Sequence, residues 1–282
     1  MRHLGYILTA AIVVLAVSGC GRQGKEEKPI WETTKIWELA PAQSEPAEAQ
    51  PGIAASLNVF VFDIPAENID QLQDMWPLLS AQPIQTNSYT AFSQNDFRVR
   101  FGQASMLDQL AAVLAAAGAQ NTGIISLDVP ADAPADLPVA ALPHAGQISY
   151  AQPNLSWGQA RVQPGQLVLR LLAEPIPGAR GARKIVAYPV ATPSLTSAIP
   201  ELNAQVRQQE FYFASAAFAA QMAPGDLLVL GPNEYTAERV TLGGLFFNEP
   251  QDVLFVNPET AEPPRRVPAV RVFILLCTGM ID

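Results

Sequence analysis

Histidine is almost missing from this chain: of 282 residues only His3 and His144 are histidine. Histidine is the usual general base at neutral pH and a leading metal ligand. Its scarcity excludes Ser-His-Asp triads, polyhistidine zinc sites and a Cys-His pair in an ordered setting. Cysteine is equally rare, at Cys20 and Cys277. A disulfide-stapled scaffold is therefore excluded, and Cys277, inside the apolar run "FILLCTG", reads as a small packed hydrophobe. Positive charge is short as well. With 17 Lys and Arg against 26 Asp and Glu the formal net charge is −9, a balance that argues against nucleic acid as a partner. No Walker loop occurs, and the glycines of "TLGGLFF" and "GARGARK" lack the spacing of a dinucleotide-phosphate loop. The expectation is no cofactor, no metal site and no catalytic residue. Long apolar runs are missing too: Leu4 to Val17 falls short of the roughly 20 residues that span a bilayer, and the charged "GRQGKEEK" follows Cys20 directly.

The first 20 residues nevertheless have a clear layout. Met1-Arg2-His3 is a basic start, Leu4 to Val17 an apolar segment, and Ser18-Gly19 a pair of small residues before Cys20, which is the order of a secretory signal. Val17-Ser18-Gly19-Cys20 resembles the lipobox of bacterial lipoprotein precursors. That resemblance implies a diacylglyceryl group on the Cys20 thiolate, signal cleavage after Gly19 and acylation of the new amino group. Each buried methylene is worth about 0.8 kcal/mol, so several acyl chains hold a folded body on a membrane for practical purposes permanently. Gly21 in place of aspartate after the lipidated cysteine implies the outer membrane of a two-membrane bacterium, facing the periplasm. The plainer alternative is a secreted protein with a chance cysteine near its cleavage site.

Removing residues 1–19 leaves about 260 residues, room for two ordinary domains. Residues 20–52 are polar and dotted with Pro29, Pro41, Pro46 and Pro51, a composition too poor in apolar surface to order itself, so the expectation is a lipidated, disordered tether. Trp31 and Trp37 are its exceptions, placed to dip into a membrane interface or to dock on the body. Residues 53–129 predict a small βαββαβ domain. "LNVFVFDI" reads as a strand, "PAENIDQLQDMW" as a helix, and "PIQTNSYTAF" and "FRVRFGQ" as two strands about the turn Ser93-Gln94-Asn95-Asp96. "SMLDQLAAVLAAAG" then reads as a helix with a Ser105/Asp108 capping box and a Gly118 stop, and "GIISLDV" as the closing strand. Residues 130–146, with Pro130, Pro134, Pro138 and Pro143, read as a stiff linker. From 147 to 282 short β-rich runs between Gly and Pro punctuation predict an all-β sandwich- or barrel-like domain, the whole being α+β. "SAIPELNAQVRQQ" could supply one short helix.

Few candidates for chemistry remain. Asp128, Asp132 and Asp136 recur every four residues, but alternating prolines forbid an EF-hand loop, and a solvated acidic stretch is the expectation. Asp63 and Glu67 sit where carboxylates complement a helix start. Arg180, Arg183 and Lys184 in "PGARGARK" could meet an acidic partner or a lipid headgroup, or mark a wet hairpin end. Val272 to Cys277 is apolar at every position, so both faces should be covered, as in a central strand. Tyr150, Trp157, Tyr188, Phe211, Tyr212 and Phe213 could line a sugar platform, although strand aromatics more often fill cores.

Leu242-Gly243-Gly244-Leu245-Phe246 followed by the strand Val270 to Thr278 resembles the closing portion of the β-module of bacterial secretins, which also carry small αβ domains before it. The resemblance implies a part in an envelope assembly. The leading expectation is therefore a non-enzymatic, membrane-anchored envelope lipoprotein that acts as a scaffold or adaptor, secretin-related, with protein partners in an envelope complex. The alternative is a periplasmic or surface lipoprotein that binds a small ligand or glycan. A hydrolase built on two carboxylates about 5 to 10 Å apart comes third.

Overall fold

In the first strand, β1 (Ile53–Pro65), every second residue from Ala55 to Val61 is apolar and buried. Leu57, Val59 and Val61 face one core, while Phe60 and Phe62 lean on another. This strand opens a computed structural model that describes residues 52–194, 208–235, 240–256 and 264–281. The expected signal, the cleavage after Gly19, the lipidation at Cys20, the tether, Trp31, Trp37 and most of the "SAIPELNAQVRQQ" segment lie outside the described residues. Pro51–Asp282 forms one unit.

The unit is predominantly β, with several antiparallel sheets and few helices, and so α+β in the broad sense. A five-stranded sheet runs β3 (Phe97–Gln103), β12 (Asp226–Pro232), β15 (Ala269–Met280), β1, β4 (Gln120–Pro130). A second sheet runs β2 (Gln85–Thr86), β11 (Phe218–Met222), β9 (Arg183–Pro193), β8 (Gly165–Pro175), β5 (Ala135–Leu142), with β10 (Phe211–Tyr212) also paired to β9. Their inner faces share one core. Leu57, Val59, Phe273 and Leu275 from the first sheet meet Leu137, Leu167, Leu169, Ile185 and Phe218 from the second. At roughly 1.5–3 kcal/mol for each fully buried large side chain, this interface is the main source of stability. Among the described residues, two two-stranded antiparallel sheets, β6 (Gly146–Ala151) with β7 (Trp157–Val162) and β13 (Val253–Phe255) with β14 (Arg265–Val267), complete the strands.

A helical layer covers the outer face of the five-stranded sheet. The 3-10 helix Ala66–Asp74 and α2 (Leu107–Ala116) pack Leu72, Leu110 and Leu114 onto Val229, Val272 and Ile274. The solid apolar run of β15 is thereby explained: Val272 and Ile274 meet helices, while Phe273, Leu275 and Cys277 meet the second sheet. α2 ends where Gly118 adopts φ 72°. The Ala119 N–H bonds the Leu114 carbonyl and the Gly118 N–H that of Ala115, a Schellman stop. Its start differs from expectation, since a 3-10 turn over Ala104–Met106 leads in and no side chain caps the helix.

The expected linker is a correction. Within 130–146, Ala135, Leu137 and Val139 are buried while Asp136 and Pro138 face out, and the segment pairs with β8 as the terminal strand of its sheet. Proline is tolerated on such an edge, where the missing N–H faces away from the ladder. The expected boundary therefore does not divide the fold, because β12 and β15, from beyond it, lie between β3 and β1. The βαββαβ order also changes. "PIQTNSYTAF" gives only the two-residue β2 and then α1 (Tyr89–Gln94), capped by Ser88, whose Oγ accepts the Ala91 N–H.

"LGGLFF" is a helix and not a strand: α3 (Leu242–Phe247) begins at Thr241, whose Oγ1 accepts the Gly244 N–H. Phe246 packs at 4.8 Å from Phe97 and 5.7 Å from Phe273, ring centre to ring centre.

Candidate functional site

Outward-facing residues of the six-stranded sheet form the candidate site. On β8 and β9 the inner set is Leu167, Leu169, Leu171, Ile185 and Ala187, so the period of two sends Gln166, Arg170, Lys184, Tyr188 and Thr192 to the other side. Register aligns Asp136, Arg170 and Tyr188 in one cross-strand row. On the same face Val168 and Val190 are buried, and the 3-10 helix Ala214–Ala216 borders the hollow beside Tyr188.

Arg170 organises the row. Its Nε and Nη2 donate to the two Asp136 carboxylate oxygens at 2.7 and 2.8 Å, and Nη1 and Nη2 to those of Glu210 at 2.6 and 3.1 Å. The Tyr212 hydroxyl donates to Glu210 Oε2 at 2.7 Å, and the guanidinium lies 5.8 Å from the Tyr212 ring centre. Tyr188 and Tyr212 stand with ring centres 6.0 Å apart. Paired hydrogen bonds to Asp136, then to Glu210, raise the Arg170 pKa above its ordinary value. The Glu210 hydrogen bond raises that of Tyr212, and burial that of Tyr188. Such bidentate pairing holds a planar, preorganised surface.

Two hollows share Tyr212. One of about 690 Å³ is lined by Asp136, Gln166, Arg170, Thr192 and Glu210. The other, of about 500 Å³, is lined by Gln85, Asn87, Glu174, Lys184 and Tyr188. Chemically the face offers ring surface, carboxylate acceptors and amide and hydroxyl groups. Asp136 and Glu210 share one guanidinium, so both carboxyl groups are already engaged by Arg170.

Of the six aromatics expected as a platform, Tyr188 and Tyr212 meet here. Tyr150, Phe211 and Phe213 contact one another edge-on within the core, at 5.5, 5.3 and 4.9 Å, and Trp157 is exposed on β7 instead. Asp136 joins the site, but Asp128 accepts from Ser56 Oγ and Asp132 lies exposed in the turn before β5. Among the described residues no acidic, histidine and cysteine group could hold a metal.

The other candidates go elsewhere. Asp63 pairs with Arg271, which also bonds Glu249, and Glu67 pairs with Arg265. Arg183 donates to the Ile281 carbonyl and Lys184 pairs with Glu174, while Arg180 is exposed in the glycine turn. His144 is exposed between β5 and β6. Cys277 is buried, and burial pushes its thiol up to about 11, which leaves no thiolate for chemistry at neutral pH. Arg170 and Glu210 are the residues sequence reasoning missed. The signal was Arg170 itself, one charge in the strand "LVLRLL", which needs partners if the strand is buried on one face.

No family model matches the chain, and neither a curated protein nor a solved structure matches it significantly.

Proposed function

We propose that this chain is a non-enzymatic lipoprotein of the bacterial cell envelope, anchored in the outer membrane through Cys20 and facing the periplasm. In this reading its folded unit binds a glycan or other small polyol on the outer face of the six-stranded sheet. One observation carries it: Tyr188 and Tyr212 stand side by side on that face beside the ion-paired row Asp136–Arg170–Glu210. Ring faces that cover sugar C–H groups, next to fixed acceptors and donors for hydroxyls, suit polyol recognition. The test is binding of the native lipidated protein to an array of envelope glycans. Tyr188→Ala and Tyr212→Ala should abolish binding and Trp157→Ala should leave it intact; an array with no bound glycan defeats the reading. The anchor is tested separately by fractionating Cys20→Ser, which should leave the membrane.

The adaptor reading, with its resemblance to secretins, is favoured by a different observation. β4 is the terminal strand of its sheet and exposes Ile124 and Ile125, and a bare strand edge invites pairing with another chain. Photo-cross-linking from position 126 in intact envelopes should then capture a protein partner, and recovery of uncross-linked monomer alone speaks against it.

A further inference from the structure

A separate cleft of about 260 Å³ runs along the outer edge of β3, lined by Ile84, Tyr89, Phe92, Arg98, Arg100 and Asn233. β3 ends its sheet. Phe101 exchanges both backbone hydrogen bonds with Ser80 on that outer side. By the two-residue alternation of an antiparallel strand, the N–H and C=O of Val99 point the same way.

Arg98 and Arg100, two residues apart, share one side of the strand. Arg98 donates from Nε to Asn233 Oδ1 at 2.9 Å and from Nη1 to Gln73 Oε1 at 2.8 Å, and its guanidinium lies 5.1 Å from the Trp76 ring centre. Arg100 donates to the Val99 carbonyl at 3.0 Å. Every one of these partners is neutral. Arg170, Lys184, Arg265 and Arg271 all sit on carboxylates, whereas among the described residues Arg98 and Arg100 have none within ion-pair distance. The nearby Asp96 spends its Oδ1 on the Asn233 and Glu234 N–H groups. Burial, and then the Arg100 charge, lower the Arg98 pKa. Two half-buried guanidiniums beside each other repel, and an anion between them would relieve this. A chain with a net charge of −9 has assembled a local cationic cleft with an apolar wall. At this size, below the roughly 300–1,000 Å³ of drug-sized pockets, it takes a small ligand.

We propose that this cleft binds a small organic carboxylate with an apolar body. The carboxylate sits on Arg100 and Arg98, and the body lies against Ile84, Phe92 and Tyr89. The cleft adjoins one hollow of the sheet face proposed for glycans at Thr86, but neither Tyr188 nor Tyr212 lines it. Its test is titration calorimetry of the native lipidated protein in detergent micelles, with empty micelles subtracted, using 3-phenylpropionate and its neutral amide as probes. The acid should bind roughly ten-fold or more tightly than the amide, and Arg100→Gln should weaken the acid by a similar factor. Arg100→Lys should recover part of the loss and Tyr212→Ala should change nothing. Arg100 is chosen because its side-chain hydrogen bond among the described residues is to the Val99 carbonyl of its own strand, so Arg100→Gln should fold like the parent, checked by circular dichroism. Equal binding of acid and amide, binding of neither, or an acid affinity unchanged in Arg100→Gln overturns the proposal.

Discussion

At the residue scale, Asn95 and Asp96 tie distant parts of the chain together. Asn95 is fully buried. Its Nδ2 donates to the Ala91 and Ala151 carbonyls and to Ser215 Oγ, and its Oδ1 accepts the Ala151 N–H. Asn95→Asp keeps the shape but loses the donors and sets a carboxylate against two carbonyls. It should cost about 3 kcal/mol, read as a lower urea midpoint. Asp96 has φ 67°, a left-handed conformation that Asp and Asn tolerate, and burial raises its pKa from 3.8 to about 7. Because the folded value lies above the unfolded one, the folded chain binds more protons between these pH values. The contribution of Asp96 to stability is thus fully present at acid pH and is lost as pH rises from about 4 through 7. Asp96→Asn keeps Oδ1 as an acceptor for the Asn233 and Glu234 amides. Urea midpoints measured from pH 4.5 to 8 should therefore slope less for Asp96→Asn than for the parent, with the variant at least as stable at pH 8. Neither residue was legible beforehand as anything but a turn, since their partners lie 56 and 137 positions away.

At the scale of elements, legibility followed local pattern. β1, β8, β9, β12 and β15 could be read because alternation, or an unbroken apolar run, reports burial directly. The covered faces of β15 followed from Val272 to Cys277 being apolar throughout. β5 was missed although Ala135, Leu137 and Val139 alternate with Asp136 and Pro138, because the prolines outweighed the period of two. α3 was missed because paired glycines and phenylalanines favour no helix by propensity, and tertiary packing of Phe246 and Phe247 decides it. The Gly118 stop was legible because only a residue free of a Cβ adopts φ 72° at no cost. Gly118→Ala should lower stability by about 1 kcal/mol, measurable as a shifted thermal midpoint. The Arg170 row was illegible for another reason: its acidic partners sit in a stretch read as linker and in a loop before β10, and only sheet register brings them together.

On the scale of the whole molecule, the interleaved sheet decides how the folded unit behaves. β12 and β15 separate β3 from β1, so residues 53–129 contain three strands of a sheet whose centre comes from elsewhere. Expressed alone, that segment should lack near-ultraviolet circular dichroism and cooperative unfolding. The entire unit should instead melt in one transition, with calorimetric and van't Hoff enthalpies in agreement; two resolved transitions would show separable domains. The charge balance and the shortage of histidine spoke at this scale from the start, because they constrain chemistry without any knowledge of topology.

The pairing of β1 with β15 also sets a timetable. Asp63 meets Arg271 across 208 positions of chain, and synthesis runs from the N-terminus, so β1 can pair early with β4 on one edge while its other edge stays open until β15 is made. Contacts of such long range close slowly, and exposed apolar strands are prone to aggregate meanwhile.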